Sequence, residues 1–166
     1  MSYKSAGPFK SMSDTSIEGV SVHRVQTHQD ERGFFREIAR LSQLEPSLPV
    51  RQISHSLVHA GVVKAWHGHR DQGQWNYVIN GLIKAVLFDS RQDSPTRGRK
   101  MEILCGDGHE GRVYFFPPGV LHGYRCIHGP MNILYFTTGE YDPSEEVRVN
   151  HDDSSIGYKW HEQSKY

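Results

Sequence analysis

The 166-residue sequence predicts an all-β protein folded as a single domain, one closed or nearly closed barrel. Three observations lead there. Short runs rich in Val, Ile, Phe and Tyr recur roughly 8 to 12 positions apart, the spacing of antiparallel sandwiches and barrels. Clusters of Gly, Asn, Asp and Pro separate those runs. Helical periodicity is nearly absent. The chain is long enough for one domain with a real core and too short for two ordinary ones.

Residues 1–16 contain Ser, Gly and Lys without periodicity and are expected to form a flexible tail. The barrel is expected over 17–160, with 161–166 as a second tail. Its strand-like runs are GVSVHRVQ at 19–26, VRQISHSLV at 50–58, WNYVI at 75–79, LIKAVLF at 82–88, RVYFF at 112–116 and NILYFTT at 132–138. Asn80-Gly81 between two of these runs predicts a tight hairpin, because both turn positions need φ > 0. Gly106-Asp107-Gly108 and His128-Gly129-Pro130 mark further turns. One stretch, Leu41 to Leu48, carries helix signals, with Ser42 as a cap and Pro46 as a stop. Beyond Ser144 the chain is polar, and Ile156 and Trp160 are expected to pack back onto the barrel.

Composition narrows the function. Lys+Arg and Asp+Glu both number 19, which argues against nucleic acid as a partner while leaving room for a small anionic ligand. No run of 18 apolar residues exists to span a membrane, and MSYKSAGPFKSMSD lacks the apolar core of a secretory signal. Cys105 and Cys126 fall in apolar runs and read as buried free thiols, consistent with a cytoplasmic protein.

Histidine is abundant, with 11 residues, and two clusters of them have chemical spacing. His67-Gly68-His69 is followed by Gln74 and Gly81; in a strand, His67 and His69 face the same way. Gly111, Pro117-Pro118-Gly119 and His122 form the second cluster, a tight turn that delivers His122 on the next strand. These spacings resemble the paired motifs of cupins, in which two histidines, an acidic residue and a later histidine converge on one metal. Gln74 stands at the acidic position, and Cys126 replaces an Asn that often follows the last histidine. One reading is therefore a metal site of His67, His69, Gln74 and His122, since imidazole binds Fe, Mn, Ni and Zn.

The wider order of residues points elsewhere. Asp30-Glu31-Arg32-Gly33-Phe34-Phe35-Arg36-Glu37 precedes Arg51-Gln52-Ile53-Ser54-His55-Ser56 and then Lys64-Ala65-Trp66-His67. Val86-Leu87-Phe88-Asp89-Ser90-Arg91, Pro118-Gly119, His122-Gly123, Tyr135, Tyr141-x-Pro143, Asp152-Asp153, Ile156-Gly157 and Trp160 follow. In order and spacing this resembles the dTDP-4-dehydrorhamnose 3,5-epimerase family over about residues 17–160. The resemblance implies a cupin-type jelly roll that dimerises through N-terminal strands, without metal or organic cofactor. It implies a nucleotide-linked 4-keto-6-deoxy sugar as substrate. His67 falls on the family's general base and Tyr135 on its proton donor. Arg32, Glu37, Gln52, Lys64 and His122 fall on positions lining the substrate.

Such chemistry explains the residue types. A proton beside a carbonyl is far less acidic than a histidinium, so the enolate oxygen needs a cation or hydrogen-bond donors as it forms. Inversion then needs an acid on the opposite face. The family's enolate-stabilising lysine falls at Asn76, which donates a hydrogen bond but no charge. The family's aspartate beyond the tryptophan has no counterpart in the six residues after Trp160; Asp71 and Glu37 are carboxylates that could substitute, and the sequence places neither beside His67. Two alternatives stay open beside the epimerase: the metal-dependent cupin, and a sugar-nucleotide binder in which the histidines are inert.

Overall fold

A computed structural model describes residues 9–11, 16–41, 44 and 49–161. Eleven strands carry the fold: β1 (Phe9–Ser11), β2 (Ser21–Val25), β3 (Thr27–Asp30), β4 (Gly33–Arg36), β5 (Gln52–Val58), β6 (Val63–His69), β7 (Gln74–Asp89), β8 (Lys100–Gly106), β9 (Arg112–Phe116), β10 (Val120–Thr137) and β11 (Glu146–Arg148). No α-helix occurs among the described residues. Nor is any helix there long and apolar enough to cross a membrane.

β7 and β10, at 16 and 18 residues, run antiparallel through the centre and organise everything else. The first part of β7 pairs with β9 and its second part with β8. Likewise β10 pairs with β6 through its first part and β5 through its second. Two antiparallel half-sheets result, joined by two long bent strands: the jelly-roll barrel that the sequence predicts. β3 and β4 form a separate two-stranded ribbon that the apolar pattern did not reveal.

The predicted Asn80-Gly81 hairpin does not form. β7 continues through it, and the β7–β10 register slips between Asn80 and Val78. The φ > 0 signal was sound, since Gly81 has φ 80°. The chain uses it to bend a strand from one half-sheet into the other. A Cβ on Gly81 would lie 2.7 Å from the His128 carbonyl oxygen, so the crossing also needs glycine's missing side chain. His128-Gly129-Pro130 is likewise an irregularity inside β10 rather than a hairpin. By contrast Gly106-Asp107-Gly108 does turn β8 toward β9.

Three apolar clusters hold the halves together. The largest lies between them and includes Ile83, Ala85, Leu87, Tyr114, Phe116, Cys126 and Ile133. Trp75, Tyr77, Val113 and Phe115 alternate with those inward residues and pack outward under Leu44 and Val50. Trp66, Val86 and Leu121 face out from the other half and are covered by Ile156 and Trp160, as expected. Burial on both faces explains why β7 reads as continuous apolar runs rather than an alternation. Cys105 and Cys126 are buried free thiols.

Phe9–Ser11, within the segment expected to be a tail, pairs with β2 along Val25 to His23. The rest of that tail up to Thr15, and 162–166, lie outside the described residues. So does most of the helix-like stretch, namely 42–43 and 45–48.

Candidate active site

At one end of the barrel the inward positions turn from apolar to polar and enclose a cavity of about 660 Å³. β6 supplies Lys64, His67 and His69, while β10 supplies His122, Tyr124 and Tyr135. β5 adds Ser54 and Ser56, β7 adds Gln74, and β11 adds Glu146 and Arg148. The alternation is what places them: Trp66 and Leu121 go outward, so His67 and His122 go inward.

His67 and His122 are direct cross-strand partners in the β6–β10 ladder. Ring centroids are 5.5 Å apart for His67–His69, 5.7 Å for His67–His122 and 6.1 Å for His69–His122. His122 also lies on Phe116, with centroids 4.3 Å apart. Burial, then repulsion from His67 and His69, holds His122 well below the ordinary histidine range, so it is neutral.

β11 pairs with β6 so that Arg148 lies opposite His67 and Glu146 opposite His69. Glu146 Oε1 thereby comes 3.5 Å from His67 Nε2, and Glu146 Oε2 accepts from Arg148 Nη2 at 2.8 Å. At 3.5 Å the first contact is electrostatic rather than a formed hydrogen bond, and Nε2 is shut off from solvent. Nδ1 is left as the His67 nitrogen that can meet a ligand. Burial lowers the His67 pKa, the Glu146 carboxylate opposes that, and His69 and Arg148 add to it. Burial works to raise Glu146, yet Arg148 and His67 hold it below its usual value and keep it ionised. The neighbouring Glu145 accepts from the backbone N–H of Gln72 at 2.8 Å and sits 3.3 Å from His69 Nδ1.

The expected site residues divide into three groups. Lys64, His67, His69, Gln74, His122 and Tyr135 share the cavity. Asn76 lies beneath it, 2% exposed, where its Oδ1 accepts from Gln74 Nε2 at 2.8 Å. Gln52 does not line the cavity; it donates to Ser54 Oγ, a lining residue, at 2.9 Å and accepts the Tyr141 N–H at 2.9 Å. Arg32 and Glu37 are elsewhere: Arg32 is tied to Asp30 at the β3–β4 turn, and Glu37 pairs with Arg40. The four residues of the metal alternative do line one cavity. Among the described residues, however, no three His, Cys, Asp or Glu side chains converge as a metal site requires.

Sequence reasoning missed Tyr124, Glu146 and Arg148. Neither Asp71 nor Glu37 stands beside His67; Glu146 does, because β11 is laid along β6. The available signal was the short alternation Glu146-Val147-Arg148-Val149 soon after Tyr141-x-Pro143.

Comparison with known proteins agrees with this architecture. The family model described as dTDP-4-dehydrorhamnose 3,5-epimerase matches residues 14–166. The spore coat polysaccharide biosynthesis protein SpsL of Bacillus subtilis is 38% identical over 149 residues, covering 87% of this chain and 96% of that protein. The dTDP-4-dehydrorhamnose 3,5-epimerase of Methanothermobacter thermautotrophicus is 31% identical over 151 residues, covering 88% of this chain and 81% of its own. Among solved structures, the Legionella pneumophila epimerase RmlC in complex with dTDP-4-keto-L-rhamnose superimposes with a TM-score of 0.83 at 25% identity, covering 92% of this chain and 84% of that one. With the jelly roll, the paired histidines and these matches in agreement, the chain belongs to the dTDP-4-dehydrorhamnose 3,5-epimerase family.

Proposed function

We propose that this protein epimerises a nucleotide-linked 4-keto-6-deoxy sugar, with His67 as the base and Tyr135 as the acid. The observation that carries the reading is their placement. His67 comes from the β6 side of the cavity and Tyr135 from the part of β10 that pairs with β5, so they address a ligand from different half-sheets. Neutral His67 takes the proton beside the carbonyl through Nδ1, and ionised Glu146 at 3.5 Å stabilises the imidazolium that results. Lys64 and Arg148 are the cations on the cavity wall, available to the enolate oxygen and the diphosphate. Tyr135 then returns a proton from the opposite face.

The same reading includes a cytoplasmic homodimer. Phe34 and Phe35 on the β3–β4 ribbon are 61% and 64% exposed, an apolar pair suited to a second copy. Arg32 and Glu37, carried on or just after that ribbon, then reach the partner's cavity rather than their own.

Incubation with dTDP-4-keto-6-deoxyglucose in D₂O, followed by NMR, tests the proposal. Deuterium should enter beside the keto group with inversion, and His67→Asn should abolish both. No exchange in any nucleotide-linked 4-keto-6-deoxy sugar would overturn it.

A further inference from the structure

The acid side of the cavity holds a second hydroxyl. Tyr124 and Tyr135 lie on the two parts of β10, on either side of its irregular stretch, and their hydroxyl oxygens are 2.9 Å apart. Tyr124 is 5% exposed and packs in the main core, while Tyr135 is only partly buried against that core. Both line the cavity, and Tyr124 is the more deeply buried of the two. Among the described residues, each hydroxyl has the other as its hydrogen-bond partner.

From this pairing we infer that Tyr124 is a positioning residue for the acid: it donates its O–H to Tyr135 and stabilises the phenolate that Tyr135 becomes when it gives up its proton. The inference rests on the epimerase reading above. In the step concerned, the C–H bond forms with the electron pair of the enolate, the Tyr135 O–H bond breaks, and the negative charge passes to the Tyr135 oxygen. That oxygen later recovers a proton from water. While Tyr135 aims its proton at the sugar, Tyr124 must be the donor of the pair, and its hydrogen bond strengthens as charge builds on the acceptor. Burial, followed by the nearness of Tyr135, pushes the Tyr124 phenol far above its ordinary value, so it keeps its proton and stays a donor. Tyr114, fully buried and close to both, has its hydroxyl bonded by Asn76, which makes the wall behind the pair polar but neutral.

Tyr124→Phe tests this, because it removes one hydroxyl and leaves the ring that fills the core. Two rates are measured in D₂O on the same sugar: deuterium entry, which needs only His67, and inversion, which also needs the acid. Inversion is expected to fall roughly ten- to hundredfold while deuterium entry falls far less. The ratio of exchange to inversion then rises toward that of Tyr135→Phe. A general loosening of the cavity would lower both rates together and leave the ratio at its wild-type value, which would overturn the inference. If the wild-type protein neither exchanges nor inverts, the epimerase reading itself fails. Should Tyr124→Phe not fold, 3-fluorotyrosine placed at 124 makes a stronger donor; the ratio should then fall, and an unchanged ratio refutes the role.

Discussion

Replacing Glu146 with Gln removes the charge beside His67 at nearly constant size. The magnitude follows from the 3.5 Å separation. Two unit charges that close attract by about 1 kcal/mol in water and by about 5 kcal/mol at an effective dielectric of about 20. Glu146 is 11% exposed and His67 34%, so the pair lies between those limits, with screening drawing it downward. Arg148, at 2.8 Å on the other carboxylate oxygen, offsets part of the remainder. A net stabilisation of the imidazolium of about 1–2 kcal/mol is reasonable, which corresponds to roughly a tenfold loss of kcat/KM. The sign of the pH effect is separate from its size. The base must be neutral, so kcat/KM rises with pH through the His67 pKa. Burial sets that pKa below the ordinary histidine value, and Glu146 acts to raise it. Removing the carboxylate therefore moves the acid limb to lower pH even as the plateau falls. The assay is the pH dependence of kcat/KM for wild type and Glu146→Gln with a nucleotide-linked 4-keto-6-deoxy sugar. An acid limb that stays in place or moves upward would refute the pairing.

Arg148→Ala should displace the same limb in the opposite direction, because Arg148 lowers the His67 pKa; pH profiles of the two variants side by side check the sign. Asp89 is fully buried and accepts from Arg91 Nε at 2.8 Å, Ser94 Oγ at 2.6 Å and Thr96 Oγ1 at 2.6 Å. Burial opposes its charge, but Arg91, Ser94 and Thr96 overcome that and hold the carboxyl far below the usual range. Its contribution is present above the unfolded value of about 3.9 and is lost only as pH falls through the depressed folded value. Asp89→Asn should cost about 3 kcal/mol at neutral pH, with a smaller penalty in strong acid, as read by urea unfolding. Trp66 is 2% exposed and packs on Trp160 with ring centroids 4.9 Å apart. Trp66→Ala should cost about 3–5 kcal/mol in the same experiment, and equal stability would show that the C-terminal cover is not part of the core.

The barrel was legible because its central strands are buried on both sides. Trp75, Tyr77, Ile83 and Leu87 belong to one strand that offers one set of side chains to the core and another to the cover. Such runs are conspicuous in a sequence. Asn80-Gly81 misled because a sequence reports that glycine adopts φ > 0, not whether the chain reverses or merely bends there. The choice was made by β8 and β9, which take successive parts of β7 as partner. The β3–β4 ribbon escaped notice because its residues are mostly exposed and carry no periodic apolar signal.

The site divides along the same line. His67, His69 and His122 were visible because strand alternation and a Pro-Gly turn are local properties, and local spacing decides which way a side chain faces. Which carboxylate meets His67 is not local. Asp71 is nearer in sequence, but it follows the end of β6, and its own backbone N–H is spent on Glu145. Glu146 arrives only because β11 completes the edge of the half-sheet beside β6. The Tyr124–Tyr135 contact is of the same kind, since an irregular stretch bends β10 from one half-sheet into the other so that two hydroxyls meet. Sequence by itself determined the class of fold, the family and the histidines. Tertiary structure alone decided what charges the base and what backs the acid, because those contacts depend on strand register between distant segments.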